Sequence, residues 1–120
     1  RQVRVRDVRA HAVPEAIFVQ VVGDDGSTGW GEAGHDGGVL VAELVRRELR
    51  PLLLGMDVFD GEPAWARMFH EADEMGPGGL VSQAIAGVDC ALWDLRGRLL
   101  GEPVWALLGG RFRTEIPLYG

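Results

Sequence analysis

The run AIAGVDCALWDLRGRLLG, Ala84 to Gly101, limits the fold of this chain more than any other stretch. Placed on a helix, Ile85, Val88, Leu92, Leu95 and Leu99 form one stripe, while Ala84, Ala86, Cys90, Ala91 and Trp93 occupy most of the remaining circumference. A helix that is apolar on nearly every side must be covered on nearly every side. Asp89 and Asp94 are costly in such surroundings unless partnered. Arg98 stands four residues beyond Asp94, the spacing of an intrahelical ion pair. Asp89 has no such neighbour and is expected to use Arg96 or a loop amide.

The elements that could cover this helix are legible upstream. Val3 to Val13 has strand character, with a slip near Asp7 that moves the apolar set from Val3 and Val5 to Val8, Ala10 and Ala12. Ala16 to Val22 is rich in β-branched residues, GDDG (Gly23 to Gly26) is hairpin turn chemistry, and the return strand runs from Thr28 to Ala33. A first helix carrying Val41, Leu44, Val45 and Leu49 follows the loop GHDGG and is expected to stop at Pro51. A second starts at Asp60, with Pro63 in its first turn and Trp65, Met68 and Phe69 as its apolar stripe. The loop DEMGPGG (73–79) leads into the long helix, Leu80 to Leu100. A short helix from Pro103 to Leu108 is closed by Gly109 and Gly110. Strands first and helices after predict an α+β fold, a three-stranded antiparallel meander followed by a helical bundle. Such a sheet hides only one side of the long helix, so a second body is expected against it.

GWGEAG, Gly29 to Gly34, spells the G-x-G-x-x-G of a dinucleotide-binding turn. That motif needs a buried strand running into its first glycine and a helix opening at its last, so that helix N-terminal amides meet the pyrophosphate. Here the glycines sit in the return arm of a hairpin and the next helix begins only after another loop. Gly29 and Gly31 are better explained by close approach of another backbone to the strand.

Composition removes further functions. A formal net charge of −6 is unsuited to neutralising nucleic-acid phosphates. All twelve basic residues are arginine, so the chain supplies no Schiff-base lysine, lysine general base or phosphate-loop lysine. One cysteine gives neither a disulfide framework nor a cysteine-rich metal site, making a reducing cytoplasm the default compartment. No apolar run approaches the roughly 20 residues that span a bilayer, and RQVRVRDVRA lacks the hydrophobic block of a signal peptide. The chain starts without methionine in a strand-like pattern and stops at EIPLYG just after another begins, as a piece of something longer would.

Several polar groupings have ordinary explanations. His70, Glu71, Asp73 and Glu74 lack the second histidine of H-E-x-x-H and end a helix as solvated charge. Asp24 and Asp25 have the wrong spacing for a calcium loop and suit a hairpin turn. Cys90 is expected to pack in the core, and Tyr119 to be a buried structural tyrosine.

Taken together, GWGEAG after a hairpin, PLLLG with Asp57 two residues on, and above all AIAGVDCALWDLRGRLLGEPVWALLGG followed by IPLYG resemble the N-terminal capping domain of the mandelate racemase and muconate lactonising group of the enolase superfamily. The likeness covers essentially the whole chain, and Ala84 to Gly110 is its specific part. It implies a capping domain over residues 1–111 and, over 112–120, the start of a (β/α) barrel whose remainder this chain lacks, with Ile116 to Gly120 as the first barrel strand. It also implies a magnesium-dependent enzyme that abstracts a proton next to a carboxylate, with Mg2+ and the catalytic groups held by the barrel and not by these residues.

By the same resemblance, two loops of the cap close over the barrel mouth: His11 to Ala16, and Ala33 to Gly38 after GWGE. The substrate-binding candidates are Glu15 in the first and His35 and Asp36 in the second, whose glycines would let it move as a lid. His35 and Asp36 suit either hydrogen bonding to a substrate hydroxyl or carboxylate, or simple solvation. A short first loop and a polar second one suit a sugar-acid dehydratase better than a racemase of apolar aromatic acids. Racemase or cycloisomerase chemistry is the alternative within the group, and a non-catalytic protein-binding module the alternative outside it. The implied partners are the chain's own C-terminal barrel domain, a small carboxylate substrate of sugar-acid type and further copies in a homo-oligomer, with no nucleic acid and no membrane.

Overall fold

A computed structural model describes residues 2–76 and 78–120. Arg1, and Pro77 within the expected 73–79 loop, lie outside the described residues. Three antiparallel strands, β1 (Val5–Val13), β2 (Ala16–Gly23) and β3 (Thr28–Glu32), form a sheet in the order β1-β2-β3. The slip near Asp7 is a register shift between Val5 and Asp7, after which Val8 and Ala10 take over the buried face. Ala12 of the expected set is exposed at the strand end. From β2, Ile17, Val19 and Val21 alternate into the core, while Phe18 stays on the outer face opposite His11.

The first helical region is α1 (Gly38–Glu43), a π-helical stretch (Leu44–Leu49) and α2 (Arg50–Leu53). The expected stop at Pro51 does not occur. The Arg50 N–H donates to the Val45 carbonyl five residues back, and this widened turn gives the proline ring room that a regular helix would deny it. Residues 55–58 then run beside the start of β1, with Val5 N–H donating to Met56 O at 2.8 Å and Val58 N–H to Val3 O at 2.9 Å.

Helix α3 (Gly61–Glu71) begins after Asp60, as the sequence suggests. Its buried ridge is Ala64 and Met68, not the expected Trp65, Met68 and Phe69. Ala64 and Met68 belong to the core, while Trp65 and Phe69 lie half-exposed at its rim, where their rings stack at 4.9 Å. After a 3-10 turn (Asp73–Met75), α4 (Gly79–Leu100) crosses the inner face of the sheet, and α5 (Val104–Leu107) folds back at its end.

Most of the cover that α4 requires comes from within the chain. The sheet packs against it, and so do α1, the π-helical stretch and α3. The contact with β3 is unusually close: a Cβ on Gly29 would lie 2.3 Å from Ala91 O, and one on Gly31 would lie 2.3 Å from Gly87 O. This is the close backbone approach expected of those glycines, and it leaves no space for a pyrophosphate. The Asp94 carboxylate takes the expected bond from Arg98 Nε at 3.0 Å and also accepts the Trp30 N–H at 2.8 Å. Asp89 is half-buried; burial pushes its carboxyl upward, opposed by the Arg96 charge and a hydrogen bond from Trp93. One strip of α4, with Ala86 and Cys90, is exposed, which corrects the core role expected of Cys90. Residues 111–120 form no helix or strand, and Phe112, Leu118 and Tyr119 are almost fully exposed.

Candidate functional site

Chain connectivity gathers the two polar connections at one end of the sheet. The first is shorter than expected. Val13 pairs directly with Ala16, leaving Pro14 and Glu15 as a two-residue turn. His11 belongs to β1, where its ring lies 6.1 Å from that of Trp30 on the outer face, and so it is not a loop residue. The second connection, Ala33 to Gly37, follows β3 and is zipped to Ile17, the second residue beyond that turn. Ile17 N–H donates to Gly34 O at 3.0 Å, and Ala33 N–H donates to Ile17 O at 2.7 Å. Glu15 and His35 are therefore each within two residues of this pair of bonds.

The side chains at this end face water. His35 and Asp36 are 75% and 83% exposed and approach each other at 3.8 Å, Nε2 to Oδ2. Glu15 is also exposed. Such groups can donate and accept hydrogen bonds and can orient a polar molecule laid against them. They do not form a nucleophile activated by a buried base. No group of three or more His, Cys, Asp or Glu among the described residues could hold a metal ion. The chemistry that the exposed side chains at this end of the sheet offer is binding and orientation.

Beneath the second connection lies a residue that the sequence does not single out. Gln83, on the second turn of α4, donates from Nε2 to Asp36 O at 2.6 Å. No motif marks it; only its polarity at the start of an apolar helix sets it apart.

A second concavity, about 760 Å³, opens between α3 and the C-terminal half of α4, with Phe59, Trp65, Trp93, Leu100 and Leu107 on its walls. Among the described residues its one cation, Arg96, already serves the fold. Arg96, almost fully buried, donates to Val58 O at 3.1 Å and lies 4.4 Å over the Trp93 ring. Burial lowers its pKa, and the Asp89 charge opposes that shift.

A three-stranded meander closed by helices, with two polar connections at one sheet end, has the architecture of an enolase-superfamily N-terminal capping domain. The chain belongs to the mandelate racemase / muconate lactonizing enzyme N-terminal domain family, whose model matches residues 5–109. It is 38% identical over 109 residues to a D-galactonate dehydratase of Xanthomonas campestris pv. campestris (strain B100), covering 91% of this chain and 28% of that one. It is similar in structure to a mandelate racemase/muconate lactonizing protein of Paracoccus denitrificans PD1222 complexed with magnesium, with TM-score 0.90, 39% identity and coverage of 96% of this chain and 32% of that one. A mandelate racemase/muconate lactonizing enzyme of Bordetella bronchiseptica RB50 follows with TM-score 0.80, 35% identity and coverage of 92% and 34%. The chain thus spans less than a third of the length of the curated relatives it matches.

Proposed function

We propose that this domain caps the active site of a magnesium-dependent sugar-acid dehydratase, with Glu15, His35 and Asp36 facing the substrate. The observation that carries the reading is the pairing of Ile17 with Ala33 and Gly34, which holds both polar connections at one end of the sheet. Exposed hydrogen-bonding side chains there suit a polyhydroxy acid better than an apolar aromatic one. The names of the curated relatives support the same substrate class. On this reading residues 112–120 lead into a C-terminal barrel, which holds the magnesium and the groups that abstract the proton next to the carboxylate. The cap's own share is to bind, orient and exclude water. The working protein is a homo-oligomer in the cytoplasm.

A second reading, racemase or cycloisomerase, draws on the names of the structural neighbours. One experiment separates them. The full-length protein is incubated with Mg2+ and a panel of aldonates that includes D-galactonate. Loss of water, giving a 2-oxo-3-deoxy acid, is the expected outcome. Inversion at C2 without loss of water would establish racemase chemistry instead, and turnover of neither kind would overturn the sugar-acid reading.

A further inference from the structure

The glycine-rich connection after β3 has the composition of a free lid, yet its backbone is tied down on two sides. On the sheet side are the two bonds to Ile17. On the helix side Gln83 donates to Asp36 O at 2.6 Å and fills the space beneath Gly34, where a Cβ would lie 2.8 Å from Gln83 Nε2. Gly34 has φ +80°, so this close fit depends on a backbone shape that glycine favours. Leu80, one turn earlier on α4, lies under Gly37 in the same way, 2.8 Å from where a Cβ would be. Above this anchored backbone the His35 and Asp36 side chains, 3.8 Å from each other, face water.

We propose that Gln83 is a positioning residue: its side-chain amide latches the Asp36 carbonyl to α4 and so sets where His35 and Asp36 are presented to the substrate. A carbonyl is satisfied here by an N–H donor, so the donor, and not merely the bulk of the side chain, is what the latch requires. The proposal deepens the sugar-acid reading and rests on it only for the word substrate; the latch itself is a property of the loop.

Three full-length proteins test it: the parent, Gln83→Ala and Gln83→Glu. The Glu variant keeps the length and shape of the side chain, but its ionised carboxylate cannot donate. Amide hydrogen exchange across 33–38 is expected to quicken severalfold, up to about tenfold, in both variants, as loss of one hydrogen bond implies. Exchange in β1, β2 and the C-terminal half of α4 should stay at the parental rate. With D-galactonate, KM should rise by a similar factor in both variants while kcat stays within about twofold, because the latch positions the loop and takes no part in the chemistry. Parental exchange in Gln83→Glu would reduce Gln83 to a space-filler and overturn the latch. A loosened loop with unchanged KM would overturn its role in presenting His35 and Asp36. Faster loop exchange in a protein that turns over no aldonate would leave the latch standing and remove the sugar-acid reading instead.

Discussion

At the scale of single residues, two kinds of position carry the most weight. Gly29 and Gly31 are places where a side chain has no volume to occupy, because α4 backbone atoms already stand where a Cβ would go. Gly29→Ala should therefore force helix and strand apart and destabilise the protein by at least about 2 kcal/mol, read as a lowered midpoint in thermal or urea unfolding. An unchanged midpoint would mean that the close approach is not real. Asp7 is the other kind. Arg50 Nε at 2.7 Å, Arg9 Nε at 2.9 Å and the Val8 N–H at 2.9 Å all donate to its carboxylate. Chiefly through Arg50, they hold its pKa below the ordinary 3.8 despite some desolvation. A depressed carboxyl pKa stabilises the fold above the unfolded value, and that contribution disappears as pH falls through the lower folded value. Replacing Asp7 by Asn should cost no more than about 1 kcal/mol near neutrality, since the pair is partly solvated. The difference from the parent protein should shrink as the pH is lowered into the acid range; a difference independent of pH would show that the charge is not responsible.

At the scale of elements, β3 and α4 behave as one unit. β3 is an edge strand, and edge strands expose unpaired N–H groups. Asp94 answers this by accepting the Trp30 N–H and is itself held by Arg98. Asp94→Ala should cost about 1.5–3 kcal/mol, and Asp94→Asn, which keeps an acceptor oxygen, distinctly less. Equal losses in the two variants, measured by chemical unfolding, would assign the effect to packing. The i, i+4 pair was legible in the sequence because helical spacing alone produces it, whereas the bond to Trp30 was not, because it joins residues 64 apart. Local rules failed in the same manner elsewhere. Pro51 reads as a helix stop, but a π-helical turn absorbs it. Trp65 and Phe69 read as core, but tertiary contact chose the small Ala64 ridge. Cys90 reads as buried, but the neighbouring helices cover other sides of α4.

At the scale of the whole molecule, sequence pattern was enough for the meander, the long helix and the family, because alternation, periodicity and the run from Ala84 to Gly110 are written locally. The candidate site was legible as two loops with Glu15, His35 and Asp36 on them, but not as one place. Their meeting at one sheet end depends on Ile17 bonding to residues far along the chain, and the Gln83 contact spans 47 residues. What unites these observations is a domain whose folded end offers hydrogen-bonding side chains on a tethered frame. The direct test is a crystal structure of the full-length protein with D-galactonate bound. It should show His35 or Asp36, together with Glu15, within hydrogen-bond distance of the sugar acid, about 2.7–3.2 Å, or joined to it through one water. A bound sugar acid with all three side chains turned to bulk solvent and out of reach would contradict the assignment of this end of the sheet as the substrate-facing surface.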